Sequence, residues 1–421
     1  MDVIIKPSKL SGEVVIPPSK SLSHRAIIAA SLAEGKSKIS NVMFSNDILA
    51  TISGMEAMGA KITKYDNYLE IEGSNVIRKN SEIDANESGS TLRFLIPIAL
   101  TISEAITFIG HNNLVNRPLD TFFEIFDEQN IKYEKPNDTY LPLKCSGSLK
   151  AGEYKIRGDI SSQFITGLLF SLPLLDGTSK IILTTPLESL GYIDLTIDIL
   201  NMFGVKIINN NYEEFIIKGN QEYKPCDYEI EGDFSQAAFF LVADTMGANI
   251  SLKAMNINSH QGDKKILEDI KSMGGKIEYK DGKLKALPSK TKGAILDFKQ
   301  TPDLGPALSV LALNSKGDTE FINAGRLRIK ESDRISSVKE ELEKLGVEIV
   351  ENPDGMTILG PNDIMGGTLD PHNDHRLRMA FSMLCQIATG DIKIINAECV
   401  KKSYPHFFKD LESIGGKVIY E

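Results

Sequence analysis

The sequence predicts an α/β protein (α+β in detail) of two lobes, each built from three repeated units with buried helices inside and sheets outside. Two periodic series of motifs in the 421 residues indicate this fold. One series consists of amphipathic helices that end at Gly, and the other of helices that are apolar on nearly every side. Both recur about every 70 residues along the whole chain, and such a period is the signature of a repeated architecture.

The first series combines an amphipathic stretch, a Gly or Asn, and a β-type run, as in ILNMFGVKI at residues 199–207. Gly and Asn tolerate the left-handed backbone in which many helices end. We therefore predict six helix–turn–strand junctions. The residues at these junctions are Gly59, Asn130, Gly204, Gly274, Gly346 and Gly415.

The second series consists of apolar helices such as the one within PPSKSLSHRAIIAASLA, residues 17–33. A helix that is apolar all round belongs in a core. Short runs such as KIIL and EFIIKG lie between these helices and are typical of strands. The predicted helix starts are Ser21, Ser90, Ser162, Ser235, Asp303 and Asp374.

Units of about 70 residues are too small to bury separate cores, so we group them in threes. The division should fall between Gly204 and Ser235, within the polar run GNQEYKPCDYEIEGD.

Composition excludes several classes of protein. The net charge of −10 argues against nucleic acid as a partner, because phosphate binding needs a basic face. No apolar run approaches the ~20 residues of a membrane span, and the N-terminus lacks a signal-peptide pattern. The four scattered Cys predict neither a disulfide framework nor a zinc site. We expect a cytoplasmic protein without a nucleic-acid or membrane partner.

The starts of the apolar helices are rich in cations and hydroxyls, beginning with Lys20, Ser21 and Arg25. Helix N-termini attract anions through free N–H groups and the helix dipole. Parallel helices would bring these starts onto one face per lobe, and two such faces would form a pocket for a small polyanion. Ordinary helix capping is the alternative for the Ser residues. Acidic partners are the alternative explanation for Arg25 and Arg93, because a buried guanidinium needs a partner.

Arginine is scarce but clustered, with three of its few copies in RLRIKESDR and two in DHRLR. Arg binds carboxylates and phosphates through two parallel hydrogen bonds. A solvated helix face, with Asp333 as a helix cap, is the alternative for the first cluster. A metal site at His372, Asp374 and His375 has little support, because no fourth ligand joins them.

Eight motifs in order, from residue 17 to about 408, resemble the EPSP synthase family of enolpyruvyl transferases. They are PPSKSLSHRA, SGSTLRFL, NRPLD, GDISSQFITGLL, EGDFSQAAFFL, RLRIKESDRI, DHRLRMAFSML and KKSYPHFF. The resemblance implies a two-lobed inside-out α/β barrel that closes on its substrates, with the active site in the cleft between the lobes. We predict that residues 1–18 and 230–421 form the lobe with the phosphoenolpyruvate clamp and the catalytic carboxylates, and that residues 19–229 form the lobe with the shikimate 3-phosphate contacts.

The resemblance also implies a reaction of the shikimate pathway toward chorismate and the aromatic amino acids. The carboxyvinyl group of phosphoenolpyruvate passes to the 5-hydroxyl of shikimate 3-phosphate. The products, formed through a tetrahedral intermediate, are 5-enolpyruvylshikimate 3-phosphate and phosphate. No metal or organic cofactor is implied. The expected partners are the two small substrates, with glyphosate as a competing analogue, and the expected state is a monomer.

The family's functional positions carry over by motif. Asp303 matches the base toward the hydroxyl, and Glu331 and Lys20 match the candidates for proton delivery to C3. The positions implied to bind shikimate 3-phosphate are Lys20, Ser21, Arg25, Ser161, Ser162, Gln163, Ser189, Tyr192, Asp303 and Lys330. Those implied to bind phosphoenolpyruvate are Lys20, Gly89, Arg117, Gln163, Arg334, Arg376 and Lys402.

The chain departs from the family pattern at Glu87 and Ser88 in the glycine loop and at Arg326. The nearest rival is the sister enzyme acting on UDP-N-acetylglucosamine, which carries a Cys five residues before the Arg of its own RP loop. Asn112 stands at that position here. A non-catalytic anion-binding scaffold is a second alternative. Asp303, Glu331 and Lys20 among the anion-binding residues favour an enzyme.

Overall fold

The computed structural model describes residues 1–74, 80–102 and 104–421. The chain divides into two compact units. The terminal unit comprises Met1–Pro17 and Glu231–Glu421, and the insert unit comprises Pro18–Ile230. The functional roles assigned to the two parts of the chain stay predictions.

One helix of each repeat is buried on nearly all sides. Apolar residues cover most of its circumference in five of the repeats, whereas α11 buries His375, Arg376 and Arg378 as well. Residues 26–33, for example, are all buried. These helices are α1 (Lys20–Leu32), α3 (Gly89–Ala99), α5 (Ser162–Ser171), α7 (Phe234–Thr245), α9 (Gly305–Leu313) and α11 (His375–Ser382).

The second helix of each repeat buries one face only. In the helix that begins at Arg334, the buried residues Ile335, Val338 and Leu342 recur at helical spacing among charged neighbours. These helices are α2 (Asn46–Ala57), α4 (Asp120–Gln129), α6 (Leu190–Met202), α8 (Ile266–Ser272), α10 (Arg334–Glu343) and α12 (Phe407–Ser413).

All six predicted junction residues have positive φ, so the predicted left-handed helix ends are confirmed. The φ angles are 114° at Gly59, 57° at Asn130, 84° at Gly204, 90° at Gly274, 85° at Gly346 and 96° at Gly415.

The described residues form six four-stranded sheets, three from each unit. The complete repeat reads β-α-β-α-β-β. The strands on either side of the buried helix pair in parallel, and the last two strands form an antiparallel hairpin, as in β6-β7-β9-β8 of the insert unit. The insert-unit strands are β3 (Gly35–Ser40), β4 (Lys61–Lys64), β5 (Tyr68–Gly73), β6 (Glu82–Asp84), β7 (Ile106–Ile109), β8 (Lys132–Glu134), β9 (Leu143–Ser146), β10 (Glu153–Ile156), β11 (Thr178–Leu183), β12 (Ile207–Asn210), β13 (Glu214–Lys218) and β14 (Tyr228–Glu229).

The terminal unit completes two of its sheets with strands from the chain start. Strand β1 lies between β23 and β24, and β2 pairs in parallel with β15. The terminal-unit strands are β1 (Val3–Lys6), β2 (Ser11–Val15), β15 (Asn249–Lys253), β16 (Lys276–Lys280), β17 (Lys283–Leu287), β18 (Ile295–Asp297), β19 (Thr319–Ile322), β20 (Ile349–Asn352), β21 (Gly355–Ile358), β22 (Gly367–Leu369), β23 (Ile392–Ile394) and β24 (Lys417–Tyr420).

The sheets cover the helices with one apolar face. In β5, Leu69 and Ile71 are fully buried, whereas Glu70 and Glu72 between and beyond them are exposed. This alternation places every second side chain against the core. The predicted α/β fold of buried helices and outer sheets is therefore confirmed.

Five of the six predicted helix starts are displaced by one or two residues, and only α5 begins at the predicted Ser162. Helix α3 begins at Gly89 rather than Ser90, because Ser88 has the extended backbone of a cap and accepts the Thr91 N–H. Asp303 lies in a 3₁₀ turn, Pro302–Leu304, that precedes α9. The fixed φ of Pro302 starts this turn before the α-helix.

The described residues contain no helix long and apolar enough to cross a membrane. They also contain no group of three His, Cys, Asp or Glu suited to a metal ion.

Candidate active site

Lys20 is the first residue of α1, and its Nζ donates to Asp47 Oδ2 of α2 over 2.8 Å. The side chains of Lys20 and Asp47 are 16% and 6% exposed. Ser21 follows Lys20 and is half-buried. The start of α1 therefore presents a cation held by a nearly buried carboxylate.

Arg25 lies one turn further along α1 and is buried. Its Nε donates to Thr196 Oγ1 over 2.8 Å and its Nη2 to the Tyr192 carbonyl over 2.9 Å. Two further hydrogen bonds reach the Ser21 carbonyl and Thr166 Oγ1. Burial lowers the pKa of Arg25 to about 10. Because all four acceptors are neutral, this buried cation favours an anionic ligand.

Gly89 begins α3 beside the guanidinium of Arg117. A Cβ added at Gly89 would lie 2.6 Å from Arg117 Nη1, too close for two unbonded atoms. Arg117 Nε is buried and lacks a hydrogen-bond partner among the described residues. The absence of a side chain at Gly89 thus lets a cation approach the start of α3.

The starts of α3 and α5 meet through side chains. Arg93 Nη1 donates to Gln163 Oε1 over 2.7 Å, and Gln163 Nε2 donates to Ser90 Oγ over 2.9 Å. Arg93 also donates to the Pro118 carbonyl, next to Arg117. These bonds bring the first turns of two buried helices together, as the predicted face requires.

The remaining predicted positions of the insert unit lie at helix starts. Ser161 caps α5, and Ser162 is its first residue and is nearly buried. Ser189 occupies the N-cap position of α6 without a side-chain capping bond and has a left-handed backbone, φ 61° and ψ 46°. This conformation is uncommon for a residue other than Gly and is found often at functional sites. The carbonyl of Tyr192 joins the Arg25 hydrogen bonds.

Asp303 in the terminal unit lies among three cations. Arg334 Nη1 lies 2.8 Å from its Oδ1, Lys330 Nζ lies 3.5 Å from the same oxygen, and Arg376 Nη2 lies 3.3 Å from Oδ2. The side chain of Asp303 is only 15% exposed. Three cations therefore converge on one nearly buried carboxylate.

Arg334 links the predicted acids. Its Nη2 lies 2.8 Å from Glu331 Oε2, and its Nε lies 2.7 Å from Oδ2 of the fully buried Asp374. Lys402 Nζ lies 3.7 Å from the other Glu331 oxygen. Three carboxylates therefore take up three of the five N–H donors of the Arg334 guanidinium.

The charges in this cluster shift the pKa values of its members. Burial raises the pKa of Asp303, but Arg376, Lys330 and Arg334 outweigh it and hold the pKa well below its usual range. Burial lowers the pKa of Lys330 to about 8, against the pull of Asp303. Burial also lowers the pKa of Arg334, but the nearby carboxylates of Asp374, Glu331 and Asp303 outweigh burial and raise the pKa above its usual value. At neutral pH Asp303 is therefore ionised and Arg334 is a cation.

Asp47 and the second role of Asp374 were not predicted from the sequence. Asp374 Oδ1 accepts the Arg376 N–H and caps α11, while Oδ2 accepts from Arg334. Its place at a predicted helix start indicated the cap but not the contact with Arg334. Asp47 carried no signal, because its partner Lys20 lies 27 residues earlier. Asp333 caps α10, as the alternative for its cluster suggested.

The fold and site define a class of protein. It is an α/β protein of six repeats whose buried helices begin with cations, hydroxyls and carboxylates suited to small polyanions. A family model described as EPSP synthase (3-phosphoshikimate 1-carboxyvinyltransferase) matches residues 4–411. The chain belongs to this family.

Curated relatives agree with the family match over nearly the full length. A 3-phosphoshikimate 1-carboxyvinyltransferase of Clostridium beijerinckii is 51% identical and aligns with 98% of this chain and 97% of its own. A protein of that name from Clostridioides difficile is 50% identical, with coverage of 98% and 97%.

Solved structures support the fold. EPSP synthase from Acinetobacter baumannii superposes with a TM-score of 0.83 at 24% identity and covers 100% of both chains. The enolpyruvyl transferase NikO from Streptomyces tendae has a TM-score of 0.81 at 15% identity, with coverage of 100% and 98%.

Proposed function

We propose that this chain transfers the carboxyvinyl group of phosphoenolpyruvate to the 5-hydroxyl of shikimate 3-phosphate and releases phosphate. The observation that carries the proposal is the cluster around Asp303, where Lys330, Arg334 and Arg376 surround an ionised carboxylate. Each substrate carries a phosphate and a carboxylate. Binding both therefore requires many cations, and moving a proton requires an acid–base group among them.

The proposed substrate-binding residues come from both units. In the insert unit, Lys20, Ser21 and Arg25 bind shikimate 3-phosphate with the residues at the starts of α5 and α6. Gly89 lets phosphoenolpyruvate approach the α3 backbone beside Arg117. In the terminal unit the cationic clamp on phosphoenolpyruvate comprises Arg334, Arg376 and Lys402.

Asp303 accepts the proton of the 5-hydroxyl as the oxygen attacks C2 of the enol. Its low pKa in the free protein makes it a weak base. Substrate anions that bind Arg334 and Arg376 offset the positive charge of these side chains at Asp303. The pKa of Asp303 therefore rises when the substrates are bound. The base therefore gains strength when phosphoenolpyruvate is bound.

C3 of the enol gains a proton from Lys20 or Glu331. Lys20 is held by Asp47, and Glu331 by Arg334 and Lys402. In the second step the same group takes a proton back from C3 as the bond between C2 and the phosphate oxygen breaks, which restores the double bond. The cations stabilise the departing phosphate. The proposed enzyme acts as a monomer in the cytoplasm, and glyphosate competes with phosphoenolpyruvate.

Phosphate release tests the proposal. The protein mixed with phosphoenolpyruvate and shikimate 3-phosphate should release phosphate, and either substrate alone should give none. Release with UDP-N-acetylglucosamine as the acceptor, but not with shikimate 3-phosphate, would reverse the choice in favour of the sister enzyme. Binding of both anions without release would support the non-catalytic scaffold.

A further inference from the structure

A chain of four buried polar side chains joins helices α1, α2 and α3 of the insert unit. His24 Nδ1 lies 2.6 Å from Thr51 Oγ1, which lies 2.7 Å from Thr91 Oγ1. Thr91 Oγ1 lies 2.8 Å from Ser88 Oγ. Solvent reaches none of these four side chains.

One end of this chain is the cap of the glycine loop. Ser88 Oγ accepts the Thr91 N–H over 3.1 Å, and Gly89 follows directly. The position of the Ser88 hydroxyl therefore sets the path of the backbone into Gly89.

The other end of the chain is His24, on the same helix as Lys20, and the middle of the chain contacts the residue that binds Lys20. Thr91 Oγ1 is 3.3 Å from the Asp47 carbonyl, and the carboxylate of the same Asp47 binds Lys20. His24 lies one turn along α1 from Lys20. The chain thus connects the two backbone segments that carry Lys20 and Gly89.

Stability alone does not explain four buried polar groups. Apolar side chains of similar size would fill the same space without desolvation, and such replacements are often neutral or stabilising. His24 Nε2 is moreover buried without a hydrogen-bond partner among the described residues. Directional bonds, unlike apolar contacts, fix the separation of the groups that they join.

We propose that His24, Thr51, Thr91 and Ser88 form a positioning network that holds the Gly89 backbone and Lys20 at one separation and thereby sets the affinity for phosphoenolpyruvate. The inference rests on the proposed function, because both groups are assigned to that substrate. Burial lowers the pKa of His24 to about 3, so the network ends on a neutral imidazole. It positions the site without adding a charge beside Lys20 and Arg25.

Thr91→Val tests the network, because Val keeps the shape of Thr and removes the hydroxyl. We expect KM for phosphoenolpyruvate to rise about tenfold, the effect of one ordinary hydrogen bond, with KM for shikimate 3-phosphate within about twofold of wild type. Thr91→Ser should restore the wild-type value. Thr245→Val is the matched control, since Thr245 is a buried helical Thr of the terminal unit.

Thr51→Val tests the same network from α2, should Thr91→Val not fold. The ¹⁵N NMR shift of His24 Nδ1 should move in both variants and stay unchanged in Thr245→Val. This readout does not depend on catalysis.

The outcomes separate the two proposals. An active wild type whose Thr91→Val and Thr51→Val variants have unchanged KM for phosphoenolpyruvate would overturn the network. Equal rises in both KM values, or no rescue by Thr91→Ser, would also overturn it. An inactive wild type would instead overturn the proposed function.

Discussion

At the scale of single residues, Asp303 combines two properties that usually exclude each other. It lies within 3.5 Å of three cations, which keep it ionised, yet the proposed reaction needs it to accept a proton. In the proposed mechanism substrate anions resolve this conflict, because they would bind Arg334 and Arg376 and so raise the pKa of Asp303.

Asp303→Asn should lower kcat by about 10²–10⁴, the usual contribution of a general base. KM for phosphoenolpyruvate should stay the same or fall, because the variant removes a negative charge that competes for Arg334 and Arg376. Steady-state kinetics would measure both constants. Asp297→Asn, at an exposed Asp, is the control, and unchanged turnover in Asp303→Asn would remove it from the role of base.

The pKa of Lys330 predicts the pH above which activity falls. Burial lowers its pKa to about 8, so it carries a charge below that pH and loses it above. If Lys330 binds shikimate 3-phosphate, kcat/KM for this substrate should fall as pH rises through about 8. Lys330→Arg keeps its charge and should move the fall to higher pH. Profiles that coincide for the two proteins would contradict this assignment.

The sequence could predict single residues only where a motif carried them. Arg334 and Arg376 stood out because Arg is clustered in this chain. Asp47 could not be predicted, because nothing near it in the sequence marks it as the partner of Lys20. The buried contacts of Thr51 and Thr91 could not be predicted either, since a Thr is ordinary both in an amphipathic and in an apolar helix.

At the scale of elements, the helix ends were predictable and the helix starts were displaced by one or two residues in most repeats. A left-handed end needs Gly or Asn, so the sequence marks it directly. A start can be capped by any of several neighbouring polar residues, as Ser88 and Ser90 show.

Asn130 tests the left-handed helix ends. It has φ 57° at the end of α4, where the other five repeats carry Gly. Asn130→Ala should lower the free energy of unfolding by about 1 kcal/mol, because Cβ disfavours this conformation, whereas Asn130→Gly should change it little. Urea unfolding of both variants measures this, and equal stability of the two would contradict the assignment.

Asp374 acts as a cap and as a partner of Arg334. Asp374→Asn keeps an oxygen for the Arg376 N–H but loses the charge that holds Arg334 Nε. We expect KM for phosphoenolpyruvate to rise about tenfold, since one charge-assisted bond is weakened.

Asp333→Asn is the matched control for Asp374→Asn, because Asp333 caps α10 without binding the Arg334 side chain. It should leave KM for phosphoenolpyruvate near the wild-type value. Equal KM values for the two variants would mean that Asp374 acts as a cap alone.

At the scale of the whole molecule, the 70-residue period predicted the repeats but not how the chain completes them. Strand β1 pairs with β23 and β24 from the far end of the chain, and β2 pairs with β15 across the entire insert unit. The period predicts which helices and strands each repeat contains. It cannot tell that a sheet takes one strand from a distant segment, because pairing between remote strands leaves no local pattern.

The central claim is that this chain joins phosphoenolpyruvate to shikimate 3-phosphate. Phosphorus NMR of the purified protein with equal amounts of both substrates tests it most directly. We predict that the signal of phosphoenolpyruvate falls as one equivalent of inorganic phosphate appears and the signal of shikimate 3-phosphate moves to that of its enolpyruvyl ether. Spectra that remain those of the two starting compounds, at protein concentrations that bind both, would contradict the account.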